Sequence, residues 1–254
     1  MKFSANLGFL WHDRPLPEAI RLAAAAGFDA VECHFPYEID PAEVRAALSD
    51  TGLPMLALNT LPGDRNAGEF GLCALPGREE DARRVIKQAV DYAALIGACK
   101  VHVMAGLASG EVAHRTFLSS LAFASDLAAK AGLTVLIEPI NTQDVPGYFL
   151  NTTDQALEFL AELDRPNVKL MFDCYHVHIM EGDLASRLKA CLPMTGHVQI
   201  AAVPGRGEPD QGAIDYVVVM KELQELGYDG FIGAEYRPRA TVEEGLGWMQ
   251  RLRV

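Results

Sequence analysis

Eight times along this chain a short apolar run is followed by a stretch with helical spacing, and that alternation constrains the fold more than any other feature. Phe3 to Leu7 reads as a strand, followed by a helix from Leu16 to Ala26 that closes on Gly27. Ala30 to Cys33 is a second strand, and Asp40-Pro41 supplies an N-cap and a first-turn proline for a helix to Asp50. Pro54 to Asn59 and Lys100 to Met104 are the next strands, with helices at Glu79 to Ile96 and Val112 to Ala131. Later strands end at Glu138, at Asp173, near Gln199 and at Glu235. The helices that follow them span Asp154 to Leu163, Leu184 to Cys191, Tyr216 to Leu226 and Val242 to Leu252. Strict alternation of this kind predicts a parallel sheet covered by helices. Eight units within 254 residues predict an α/β fold, one single-domain (β/α)8 barrel over residues 1–254. An open doubly wound sheet is the competing arrangement. It lacks its usual marks in this chain, since no GxGxxG follows the first strand and no GxxxxGK[ST] occurs.

In a parallel barrel all strand C-termini open on one face. The last four strands each finish on an oxygen ligand: Glu138, Asp173, Gln199 and Glu235. Taken singly, each has an ordinary reading. Glu235 could pair with Arg237 or Arg239, Asp173 could cap the next turn, and Glu138 could be a solvated loop residue before Pro139. Together, three carboxylates at one mouth repel one another unless a cation sits among them. An all-oxygen set suits Mg2+ or Mn2+ better than zinc, which favours His and Cys. Two glutamates beside such a cation can move a proton between adjacent carbons while the cation holds the neighbouring oxygens. The chemistry predicted is aldose–ketose isomerisation or epimerisation through an enediolate.

Composition narrows the partners. The formal net charge of −12 opposes nucleic acid and anionic membrane surfaces, whose affinity comes largely from Lys and Arg. Five scattered cysteines without a CxxC pair argue against a disulfide framework and a thiolate zinc site. No run is long and apolar enough for a membrane span, and the N-terminus reads as a first strand rather than a signal peptide. The expectation is a cytoplasmic enzyme acting on a small molecule, without nucleic acid or membrane partners; a homo-oligomer is compatible with it.

Several motifs at these strand ends resemble the hydroxypyruvate isomerase family of the xylose-isomerase-like barrels. They are Ile137-Glu-Pro-Ile-Asn141, Val145-Pro-Gly-Tyr-Phe149, Asp173-Cys-Tyr-His176, Met180-Glu-Gly182, His197-Val-Gln-Ile-Ala201, Arg206-Gly-Glu-Pro209 and Glu235-Tyr-Arg-Pro238. Phe3-Ser-Ala-Asn-Leu7, Phe35-Pro-Tyr37 and Leu75-Pro-Gly-Arg-Glu79 extend the likeness along the chain. The resemblance implies a metal held by Glu138, Asp173, Gln199 and Glu235, with Glu138 and Glu235 as the acid/base pair. It implies interconversion of hydroxypyruvate and 2-hydroxy-3-oxopropanoate (tartronate semialdehyde), within glyoxylate metabolism. The alternatives are a 2-oxo-tetronate isomerase or a ketose 3-epimerase on the same barrel. Some epimerase relatives carry histidine where this chain has Gln199, which favours the hydroxypyruvate branch. A nuclease like endonuclease IV would need further histidines, and a non-catalytic sugar-binding barrel would not need both glutamates.

Three further residues are candidates for holding substrate. His176, three positions after Asp173, could meet a substrate oxygen or merely cap a turn. Arg206 could grip a carboxylate with its planar fork or lie solvated in its loop. His102 could face the barrel mouth or be a satisfied core histidine. The long stretch Thr60 to Gly77 reads as a lid or binding loop, with Arg65 and Arg78 as alternative carboxylate anchors.

Overall fold

The computed structural model describes residues 1–253. Eight parallel strands form the sheet: β1 (Lys2–Asn6), β2 (Ala30–Glu32), β3 (Ala57–Asn59), β4 (Lys100–His102), β5 (Thr134–Ile137), β6 (Val168–Asp173), β7 (Thr195–Ile200) and β8 (Phe231–Ala234). They run in the order β2-β1-β8-β7-β6-β5-β4-β3. The seam between β2 and β3 is joined by the Val31–Met55 bridge and by Cys33 donating to the Ala57 carbonyl. The result is a nearly closed (β/α)8 barrel, as the alternation predicts.

Ten helices wrap it among the described residues. They are α1 (Leu16–Ala25), α2 (Pro41–Thr51), α3 (Glu79–Ile96), α4 (Gly110–Lys130), α5 (Thr153–Leu163), α6 (Cys174–Glu181), α7 (Leu184–Cys191), α8 (Tyr216–Glu225), α9 (Val242–Gly245) and α10 (Gly247–Leu252). Local chemistry sets their ends. Asp40 accepts from the Ala42 amide to start α2, and Gly52 and Gly97, both at positive φ, close α2 and α3.

Two elements depart from the pattern read in the sequence. Helix α6 interrupts what reads as loop; its N-cap is Asp173, whose Oδ1 accepts from the Tyr175 amide at 2.8 Å. The final helix, expected unbroken over Val242 to Leu252, is divided at Leu246 into α9 and α10. Gly245 and Gly247 weaken helix there, and the buried Glu208 carboxyl lies where a Cβ on Gly245 would be, 2.6 Å away. The third and fourth strands are also shorter than Pro54–Asn59 and Lys100–Met104.

Aromatic packing anchors the chain ends to the barrel. Trp248 of α10 is fully buried, edge-on to Phe3 of β1 at 5.0 Å, and its indole N–H donates to the Tyr236 hydroxyl. At the mouth, the long loop after β3 is fixed rather than free. Asp64 caps a 3-10 turn over Arg65–Ala67, Glu69 accepts from the Asp64 amide, and Arg78 ties Glu69 to Asp81. Gly71 pairs with Ala105 at a φ of 118°, where a Cβ would lie 2.6 Å from the Gly106 nitrogen. Only glycine fits that approach.

Candidate active site

At the C-terminal mouth a cavity of about 380 Å³ is lined by Glu138, His176, Glu235, His102, Arg206 and His34, with Phe9, Phe35 and Phe70 among its apolar walls. Glu138 follows β5 directly, Asp173 ends β6, Gln199 lies near the end of β7 and Glu235 follows β8. All four are buried. Regular strands carry these residues to one end of the barrel, which is why their placement could be read from sequence.

Their polar partners are incomplete. Glu138 Oε1, Gln199 Oε1 and Glu235 Oε2 are buried oxygens without a hydrogen bond. Glu235 Oε2 lies 3.2 Å from Arg206 Nη2, but off the N–H direction, so that contact is electrostatic. Buried oxygens are rarely left without partners, because each such loss costs ~1–3 kcal/mol. Oxygens left bare at the ends of β5, β7 and β8 fit a ligand that accepts several lone pairs at once. A hard divalent cation is such a ligand.

The carboxyls titrate abnormally for the same reason. Burial, and then the charges of Glu235 and Asp173, push Glu138 well above the usual carboxylate range. Burial raises Asp173 to about 7, with Arg206 offsetting part of the effect. Burial would raise Glu235 too, yet Arg206 and the His34 hydrogen bond outweigh it and hold it at about 2. The two glutamates are therefore pushed in opposite directions, Glu138 toward holding a proton and Glu235 toward its charged form.

His176 packs beside two of these carboxyls, with Nε2 3.6 Å from Asp173 Oδ2 and 3.8 Å from Glu138 Oε1. With Glu138 and Asp173 it forms a cluster compact enough to hold a metal. Its tautomer argues for another role. Nδ1 accepts the Asn141 backbone N–H at 3.2 Å, and burial keeps the ring neutral, so the single ring proton sits on Nε2. Nε2–H is a hydrogen-bond donor into the cavity, whereas a ligand would need a lone pair there. His102 is also buried, its Nδ1 3.6 Å from Glu138 Oε2, and burial lowers it to about 4. Neither of its nitrogens has a hydrogen-bond partner among the described residues.

Arg206 lines the cavity and also faces the protein's own acids. Its guanidinium sits between the rings of Phe9 and Tyr175, 4.9 Å from each centroid, and reaches Asp173 Oδ2 at 3.3 Å as well as Glu235. It is the counter-cation of the carboxylate cluster. Sequence reasoning placed it in the site but could not see which anions it meets.

Several contributors were not legible at all. Glu32 of β2 is buried inside the barrel, accepting from His197 Nε2 at 2.7 Å and lying 3.5 Å from Gln199 Nε2. A carboxylate only accepts, so this contact turns the amide nitrogen of Gln199 inward and leaves its Oε1 bare. Gly233 on β8 makes room, since a Cβ there would lie 2.3 Å from Glu32 Oε1. Gly8 does the same for His34, whose Nε2 is 3.2 Å from Glu235 Oε1.

Comparison with known proteins agrees with this geometry. Residues 20–252 match the family described as xylose isomerase-like TIM barrel. The chain is 49% identical over 253 residues to the 2-oxo-tetronate isomerase of Cupriavidus necator, covering 98% of this chain and 97% of that one. It is 37% identical over 257 residues to the hydroxypyruvate isomerase of Escherichia coli, covering 100% of each. Among solved structures, one described as an AP endonuclease, family 2, from Brucella melitensis matches with a TM-score of 0.95 at 38% identity, covering 100% of this chain and 99% of that one.

Proposed function

The chain belongs to the xylose isomerase-like TIM barrel family, and from that premise we propose that it moves a carbonyl between C2 and C3 of a short 2-oxo-3-hydroxy acid. With hydrogen on C3 beside the hydroxyl, the substrate is hydroxypyruvate and the product 2-hydroxy-3-oxopropanoate. With a hydroxymethyl group there, it is a 2-oxo-tetronate. The reaction is the same. The four-carbon acid takes first place, because a 2-oxo-tetronate isomerase is 49% identical, whereas relatives named as hydroxypyruvate isomerases, putative ones included, stand at 37–41%. That ordering reverses the one suggested by Gln199 alone.

The observation that carries the reading is the unequal pair, Glu138 and Glu235, lining one cavity with a bare buried oxygen on each. Glu235, held ionised by Arg206 and His34, is the base that removes the C3 proton. Glu138 returns a proton to C2 of the enediolate, and the hydroxyl proton passes from O3 to O2. Carbon and oxygen each lose one proton and gain one, so the step balances. His176, through Nε2–H, donates to a substrate oxygen, and His102 lines the same wall as a neutral imidazole. Mg2+ or Mn2+ held by Glu138, Asp173, Gln199 and Glu235 would polarise the two substrate oxygens and acidify the C–H between them. The whole chain serves as one catalytic barrel in this reading.

The likeness to a protein described as an endonuclease does not favour nucleic acid as substrate. A formal charge of −12 repels a phosphate backbone, and β3 ends on Asn59 and β7 carries Gln199 where a zinc nuclease would use further histidines. The test is proton NMR of the metal-loaded enzyme with hydroxypyruvate, a 2-oxo-tetronate and a neutral ketose in parallel. Turnover of either acid supports the reading. Turnover of the ketose alone moves the chain to the epimerase class.

A further inference from the structure

The cavity holds three arginines: Arg65, Arg206 and Arg237. Arg206 is spent on Asp173 and Glu235. Neither of the other two side chains has an ion pair or a hydrogen bond among the described residues, although the chain carries an excess of carboxylates. Nearly all the remaining arginines are engaged, as Arg78 is with Glu69 and Asp81. Of the cavity's own acids, Asp144 accepts from the Asn141 amide and the Tyr175 hydroxyl through Oδ2 and forms no ion pair with either arginine.

The layering of these groups is ordered. Arg237 follows Glu235 by two residues, and its amide donates to the Arg206 carbonyl at 2.7 Å. Both guanidiniums lie against the Phe9 ring, at 4.9 Å for Arg206 and 5.9 Å for Arg237. Arg206 thus belongs to the carboxylate cluster, while Arg237 stays exposed at the rim. Arg65 reaches the same cavity from the loop after β3, three strands away around the barrel. That loop is held by the Asp64 cap and the Glu69–Arg78–Asp81 chain, so Arg65 is presented from a fixed turn.

We propose that Arg65 and Arg237 form a clamp for the substrate carboxylate, a role that rests on the acid-isomerase reading and gives the site its preference for acids. With C1 bound at the rim, C2 and C3 extend inward toward Glu138 and Glu235. The clamp is the element that distinguishes an acid from a neutral ketose carrying the same hydroxy-carbonyl pair. An exposed arginine without an internal partner breaks no ion pair when it binds an anion, so only desolvation and side-chain ordering offset the interaction.

The test uses Arg65→Ala, Arg237→Ala and the corresponding lysine variants, with Arg45→Ala on the outer helix α2 as control. The probe is tartronate, an inert dicarboxylate with the three-carbon skeleton, titrated calorimetrically into Mn2+-loaded enzyme. Mn2+ affinity is measured separately. Each alanine variant should weaken tartronate about tenfold, and raise KM for the acid by a similar factor, with Mn2+ affinity unchanged. Lysine should recover part of the loss. Tartronate affinity equal to that of the Arg45 control in both alanine variants overturns the clamp. If wild-type enzyme turns over no acid, yet tartronate binding still depends on both arginines, the clamp stands and the proposed reaction falls.

Discussion

Removing the cation should cost the folded protein more stability as pH rises, and Asp173 sets the size of that effect. Its carboxyl moves from an ordinary value of 3.8 to about 7 in the folded chain, chiefly through burial. The folded state therefore binds that proton more tightly than the unfolded state does. The contribution is fully present below about pH 4 and is lost as pH climbs toward 7. The gap corresponds to at most about 4 kcal/mol, or on the order of 10 °C in Tm for a chain of this length. Glu138, raised by burial and neighbouring charge, acts in the same direction. Glu235 acts oppositely, but with its carboxyl at about 2 its window lies below about pH 4.5, outside the range of interest. His102, lowered to about 4, and His176, also lowered by burial, oppose this by gaining stability as pH rises toward 6.5, so the readout is the difference in calorimetric Tm between Mn2+-loaded and chelator-treated protein. The Tm gain from saturating Mn2+ should grow between about pH 5 and 7, because the cation competes with the proton on Asp173. A gain independent of pH across that range would refute the idea that Asp173 belongs to a cation site.

Three other outcomes follow from the same geometry. Glu138→Gln and Glu235→Gln should each lower kcat by about 10²–10⁴-fold while far-UV circular dichroism is unchanged, and near-normal turnover in either would remove that residue from proton transfer. Glu32→Leu should weaken Mn2+ binding by about 10–100-fold in calorimetry, because the Gln199 amide loses the acceptor that orients it; unchanged affinity would show that Gln199 needs no such support. Trp248→Ala should destabilise the fold by about 3–5 kcal/mol in chemical denaturation, since a fully buried ring against Phe3 is lost, and a cost below about 1 kcal/mol would contradict the packing described.

The parts of this molecule that were legible in the sequence are those governed by local periodicity. Strands buried on both faces announce themselves as continuous apolar runs, and a residue at the end of such a run must arrive at the barrel mouth. Glu138, Asp173, Gln199 and Glu235 were found that way. Helix α6 was missed because Asp173 reads equally well as a strand end, a ligand or a cap, and in the folded chain it ends β6 and caps α6. What stayed hidden depends on contacts between distant segments. Nothing near Glu32 in the chain indicates that it meets His197 and Gln199, 165 and 167 positions away. Arg206 was correctly placed near the site, but whether it faces a substrate carboxylate or the protein's own acids is decided by Phe9 and Tyr175, which hold its guanidinium between them.

The measurement that tests the central claim most directly is deuterium incorporation. Metal-loaded enzyme is incubated with a 2-oxo-tetronate, and separately with hydroxypyruvate, in D2O, and both positions are followed by NMR. The carbonyl should move from C2 to C3, with solvent deuterium appearing at C2 of the product in wild-type enzyme and little or none in Glu138→Gln. Conversion with complete retention of the original hydrogen would mean hydride transfer or return of the same proton by a single shielded base, and either result would contradict the division of base and acid between Glu235 and Glu138.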